Sequence, residues 1–335
     1  FEGSRANDEV PMRRALLTVS VTFSLSSGLA AGQAAPGAWT QLRTPWGDPD
    51  LRGVWDFRTL TPLERPAELS GKEVLSDEDA AEFERETLRA LDKDRRTSDG
   101  LTAAEDVRNA YNQFWWDYGT KLTEDKRTSL IVDPPDGRVP PLTPEAQKRA
   151  DARAAALQRP AHGPEDRTVW ERCILGFNAG PPMNPGAYNN NVQIFQIPGY
   201  AVILTEMVHD ARIVPLDGRP HLPGHIQQWR GDSRGHWEGD TLVVDTTNFT
   251  EKTSFRGTGG DLHLVERFTR VDAERLLYEY TIDDPKSLVK TWSAAIPMMK
   301  TEEPMFEYAC HEGNLGMFHL LQGARAQEKS GTERR

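Results

Sequence analysis

Several common chemistries lack their raw material in this chain. There are only two cysteines in 335 residues, Cys173 and Cys310, and neither sits in a Cys-x-x-Cys. That excludes a thioredoxin-like redox motif and a zinc knuckle. No phosphate-binding loop and no dinucleotide fingerprint occurs. After residue 34 no run approaches 18 uninterrupted apolar residues, so no helical membrane span is expected there. Positive charge is in deficit: 40 Lys and Arg stand against 51 Asp and Glu, a net charge of -11. A diffuse acidic balance repels phosphates and anionic lipid, so neither nucleic acid nor a membrane is an expected partner. No repeat of solenoid or propeller length is visible.

What is present is a polar globular composition, 37% hydrophobic and 27% charged, with a mean hydropathy of -0.62. The 27 glycines and 23 prolines predict many turns and long ordered loops. From Met12 the order of features is that of a secretory leader. Arg13 and Arg14 form a basic start, Ala15–Leu25 an apolar stretch, and Gly32-Gln33-Ala34 a small-x-small cleavage site. We therefore expect a signal peptide over residues 12–34 and a secreted or periplasmic protein, with residues 1–11 as upstream sequence. In an oxidising compartment Cys173 and Cys310 are candidates for one long-range disulfide, with two buried thiols as the alternative.

The remaining chain changes character near residue 185. Residues 35–185 read as a helical and loop-rich wrapping region, in which Trp46 and Trp55 act as anchors. Helices are expected over 76–93, with Ser76 as N-cap, over 103–117, and from Thr143 and Pro144 to about Gln158. From about residue 190 the period becomes two. Strands are expected at Val192–Ile197, Tyr200–Val208, Ala211–Leu216, Ile226–Arg230, Thr241–Thr247, Leu262–Arg270, Arg275–Asp283, Val289–Ile296 and Met305–Ala309. The predicted fold is mainly β: an antiparallel, lipocalin-like barrel or strongly curved sheet over residues 186–325, followed by a disordered tail over 326–335. Closing the sheet into a barrel would remove its exposed edges.

Polar residues on apolar strands are the candidates for chemistry. Alternation places Glu206 on the face of Val202 and Leu204, and Glu266 on the face of Leu264 and Phe268. Inward carboxylates serve as acid and base, or each pairs with a buried arginine such as Arg212 or Arg267. His209, beside Asp210, is a candidate base and Arg212 a candidate anion stabiliser. Asn190, in the Tyr188–Asn191 run, His263, His311 and Glu312 are candidate ligand-binding residues at a barrel mouth. His221 and His225 are four apart, but Pro223 and Gly224 break any helix, so the two-histidine zinc signature is absent. No cofactor is expected, and no metal ligand is assigned, although His209, His263 and His311 leave a divalent metal open. Gly231-Asp232-Ser233-Arg234-Gly235 reads as a turn and lacks the hydrolase nucleophile elbow.

Four segments carry a resemblance. They are Trp46-Gly47-Asp48-Pro49-Asp50-Leu51-Arg52-Gly53-Val54-Trp55, His209-Asp210-Ala211-Arg212, Trp237-Glu238-Gly239-Asp240-Thr241-Leu242-Val243-Val244 and Tyr308-Ala309-Cys310-His311-Glu312-Gly313-Asn314. In these the chain resembles a family of exported proteins of soil and environmental bacteria. The resemblance implies export and assigns no activity. The Trp-Glu-Gly-Asp-Thr-Leu segment is also similar to strand starts of lipocalin-like barrels, which implies a ligand cavity. Two functions follow as expectations. One is an exported hydrolase or lyase acting on a carbohydrate or plant-derived small molecule, through His209, Arg212, Glu206 and Glu266. The other is a non-catalytic binder of a small hydrophobic or sugar ligand.

Overall fold

Alternation of apolar and polar side chains makes most of the strands, because successive residues face opposite sides of a sheet. The computed structural model describes residues 39–92 and 113–333. The expected leader and upstream residues lie outside the described residues, and so do residues 103–112 of the expected second helix. Gln113–Trp115, at the end of that helix, forms a single 3-10 turn.

Ten strands form one antiparallel sheet: β1 Gly53–Asp56, β2 Ile131–Asp133, β3 Asn191–Ile197, β4 Tyr200–Thr205, β5 Asp210–Pro215, β6 Asp232–Glu238, β7 Thr241–Thr247, β8 His263–Arg270, β9 Arg275–Asp283 and β10 Trp292–Thr301. The order is β5-β4-β3-β1-β10-β9-β8-β7-β6, with β2 added on β10. The sheet is not closed into a barrel: β5 and β6 are its two edges and share no ladder. They nevertheless touch. A side chain at Gly235 of β6 would collide with Leu216 and Val214, because the β5 end packs directly on the β6 backbone. The two edges thus meet through side chains where a barrel would have hydrogen bonds.

β6 corrects the reading of this region. A strand was expected at Ile226–Arg230 and a turn at 231–235; the strand is Asp232–Glu238, and Ile226–Arg230 is not part of the sheet. Its inward residues are Ser233, Gly235 and Trp237; β5 fills the space above Gly235, so the only large apolar side chain comes at the strand's far end. Gly239, at a φ of 62°, makes the tight link to β7. Met305–Ala309 forms no strand either.

The wrapping region supplies more than a cover. β1 lies between β3 and β10, in the middle of the sheet. Trp55 is fully buried there, its indole N–H donating to Leu51 O at 2.9 Å, with the Arg270 guanidinium 5.3 Å above its ring. Two helices of this region match expectation closely. α1, Asp77–Leu91, is capped by Ser76, and α2, Pro144–Leu157, by Thr143, each hydroxyl accepting from a first-turn N–H. α3, Leu315–Glu333, runs through the segment expected as a disordered tail.

The inner sheet face holds the core, with Trp55, Val192, Ile194, Leu264, Phe268, Tyr278, Tyr280, Trp292 and Ile296 all essentially inaccessible to solvent. Cys173 and Cys310 form a disulfide with Cα atoms 5.6 Å apart. It spans 137 positions and ties the loop before β3 to the segment after β10. Among the described residues no helix is long and apolar enough to cross a membrane.

Candidate functional site

Two polar networks lie on opposite faces of the sheet and share only strand β8. The inner one joins three side chains. Arg212 on β5 reaches across the interior and grips Glu266 on β8 with both guanidinium nitrogens, one bond being 2.9 Å. The Tyr278 hydroxyl donates to Glu266 at 2.8 Å and accepts from Met183 N–H at 3.0 Å. Glu266 and Tyr278 are completely buried and Arg212 nearly so. Burial penalises the Arg212 charge, but the Glu266 carboxylate more than offsets this and holds the guanidinium above its ordinary range. Tyr278 is pushed well above 10, first by burial and then by Glu266. Both Glu266 oxygens accept from Arg212 and one also from Tyr278, so Arg212 and Glu266 hold each other.

The outer network starts at the β6 edge. Asp232 is buried, and its Oδ1 accepts from Arg234 at 2.6 Å. Its Oδ2 accepts from Leu222 N–H at 2.8 Å and lies 3.1 Å from His221 Nδ1. His221 Nε2 lies 2.9 Å from Asp245 Oδ1, and the other oxygen of Asp245 lies 2.6 Å from His263 Nε2. One carboxylate therefore joins two imidazoles, and the first imidazole leans on a second carboxylate. His263 Nδ1 has no hydrogen-bond partner among the described residues, and the His263 side chain is 42% exposed. A ring held at one nitrogen by a carboxylate, with its other nitrogen facing water, is an oriented acid–base group.

Local structure explains the alignment. Asp245 on β7 and His263 on β8 both point outward from strands whose alternate residues fill the core. Asp245 pairs with Val265, two residues from His263, which makes the two side chains diagonal neighbours. The loop carrying His221 is pinned on both sides: Arg234 Nε donates to Pro220 O at 3.0 Å and Asn248 Nδ2 to Leu222 O at 2.8 Å.

The other expected residues are scattered. Asp210 turns away from His209 and pairs with Arg230 at 2.9 Å. His209 is exposed, at the end of a turn where it and Val208 both have positive φ. That turn ends β4 at Thr205, so Glu206 does not share the face of Val202 and Leu204. The inward residues are Ala201, Ile203 and Thr205, and Glu206 is buried by the turn itself. Its oxygens accept from Asn191 Nδ2 at 3.1 Å and from Phe306 N–H at 3.2 Å. Asn190 is a buried hub whose amide bonds to Asn178, Gly186 and Asp117. His311 and Glu312 are exposed beside the disulfide. Among the described residues no group of three or more His, Cys, Asp or Glu has a metal-binding arrangement, so His209, His263 and His311 are not gathered.

Of the expected residues only His263 enters the outer network. Asp232 and Asp245 were missed, and His221 was weighed only as a zinc ligand. One sequence signal pointed to Asp245: in Leu242-Val243-Val244-Asp245-Thr246 a single acid follows an apolar run. No family model matches the chain, and no curated protein does either.

Proposed function

We propose that the protein is an exported enzyme, a hydrolase or lyase acting on a carbohydrate or plant-derived small molecule, with His263 as general base and acid. The observation that carries this reading is the Asp245 carboxylate set between His221 and His263, with one nitrogen of His263 free. Asp245 orients the His263 ring. His221, backed by Asp232, fixes Asp245 and offers a second proton site two hydrogen bonds away. The open position of His263, on the outer face of the sheet, suits a substrate that approaches from solution. Export follows from the expected leader and agrees with the Cys173–Cys310 disulfide, since such bonds persist in oxidising compartments.

The test is a turnover screen of the purified chain over glycosides, esters and polysaccharides, with His263→Ala and Asp245→Asn in parallel. The expected result is turnover of at least one class that falls ~100-fold or more in both variants. A His263→Ala variant that folds and keeps the parent's rate overturns the assignment.

A further inference from the structure

The outward face of β9 and β10 departs from the polar pattern expected of a solvent-facing sheet surface. Leu277 and Pro297 are cross-strand partners there, and Met299 lies two residues beyond Pro297 on the same side. Met299 and nearby Val271 are 45% and 43% exposed. Together they floor a groove of about 700 Å³, walled on its other side by the Gly119–Arg127 segment. That volume is typical of small-molecule sites.

The rim is charged, but its charges are already spent on one another. Arg58 bonds Asp56 at 2.6 Å and Asp117 at 2.7 Å. Lys121 pairs with Glu84 at 2.8 Å and Arg127 with Asp125 at 2.7 Å. Arg275 is held by Asp272 and Glu124. The lining itself carries four cations, Arg58, Lys121, Arg127 and Arg275, against four anions, Asp56, Asp117, Glu124 and Asp125. It is electrically balanced in a chain of net charge -11. A charged ligand would have to break one of these pairs before forming its own. An uncharged ligand loses nothing at the rim and gains the apolar floor.

From this geometry we infer that the groove is a binding site for an uncharged, largely apolar small molecule. The site is separate from His263 and does not rest on the acid–base reading. Its test uses the full chain and two fluorescent naphthylamine probes, neutral N-phenyl-1-naphthylamine and the anionic 1-anilinonaphthalene-8-sulfonate. The neutral probe should saturate, and the anionic one should bind at least ~10-fold more weakly. Leu277→Asp and, separately, Met299→Glu should each weaken the neutral probe by at least ~10-fold, as loss of one apolar contact predicts. Both residues point outward, so the parent's circular dichroism and melting temperature should persist; Met299→Glu carries the test if Leu277→Asp misfolds. His263→Ala should leave probe binding unchanged, which separates this site from the proposed catalytic one. Three outcomes overturn the inference: no binding by the parent, equal affinity for the two probes, or unchanged affinity in a folded Leu277→Asp or Met299→Glu variant.

Discussion

Glu266 and Asp245 are carboxylates on adjacent strands, both held in hydrogen-bonded networks, and their surroundings separate them. Glu266 faces the core and receives Arg212 and Tyr278 in full. Asp245 faces outward, is 34% exposed, and is shared between two imidazoles. The inner network is buried and its two charges are paired, so it contributes structure. The outer network contains two side chains of the type that gains and loses protons near neutral pH, and one of them meets solvent. Similar groups thus meet different surroundings: one set is enclosed by the core and the other reaches the surface.

The sharpest way to break this comparison is to cut the inner network. Glu266→Gln leaves the Arg212 charge buried without its counter-ion, and loss of one partner of a buried pair costs about 3–5 kcal/mol. Denaturant unfolding should show that loss. Arg212→Met combined with Glu266→Leu should recover most of it, because the pair is then replaced by apolar volume. A single variant that unfolds at the parent's midpoint would mean that the inner network carries little structure.

Cutting the outer network should do the opposite. Asp245→Asn should lower turnover by ~10²–10⁴-fold, as removal of the carboxylate behind a catalytic imidazole does. Its stability should move by less than about 1 kcal/mol, since the side chain is part-exposed and can hydrate. A large stability loss with unchanged turnover would reassign this network to structure.

The difference between the networks also governs what was legible in the sequence. β7 and β9 are found at their expected bounds, and β3, β8, α1 and α2 within two residues, because their apolar spacing and caps are local signals. β1 was hidden: four residues of which only Trp55 is buried give no period to read. β6 is hidden because two of its three inward positions, Ser233 and Gly235, are small, which leaves Trp237 as a single apolar residue with no period. Alternation shows Glu266 as inward and leaves Arg212 and Arg267 as its possible partners; the structure gives Arg212 to Glu266 and Arg267 to Glu238. The outer network is not legible, since it assembles residues from three strands and a loop over positions 221–263, and only pairing brings them together. His209 beside Asp210 looked like a dyad in the sequence, but the turn at Val208 separates them and gives Asp210 to Arg230.

A smaller effect should appear in alkali. Burial pushes Tyr278 well above 10, and Tyr280 is raised from 10 by burial as well. Both phenols keep their protons in the fold at a pH where the unfolded chain releases them. Their contribution to stability is therefore complete below pH 10 and declines as pH rises past it. Each tyrosine adds a slope of about 1.4 kcal/mol per pH unit there. Tyr280→Phe, which gives up a bond to Asn184, should shrink the total slope by about one such increment in urea unfolding between pH 11 and 12.

Arg230 tests the boundary between the two environments. It stands at the open end of the seam between β5 and β6, close enough to feel the charge of Arg212, and its side chain is only 12% exposed. Asp210 lies 2.9 Å from its Nε but off the N–H direction, so Nε and Nη2 have no hydrogen bond. Burial pulls its pKa down to about 10, with Arg212 adding to the fall and Asp210 opposing it. It is buried like Arg212 and has no partner to match Glu266. Because its folded pKa lies below the unfolded value, the penalty on the fold is complete below pH 10 and fades as pH rises from there toward 12.5. Arg230→Met should remove that penalty and stabilise the protein by about 1 kcal/mol at pH 7, with the gain shrinking above pH 10. Asp210, half-exposed, can hydrate once it is released. Calorimetric melting of the parent and Arg230→Met at pH 7 and pH 11 reads both quantities. A destabilised variant would mean that the seam relies on the Arg230–Asp210 contact, and that burial alone does not decide how a charge behaves in this sheet.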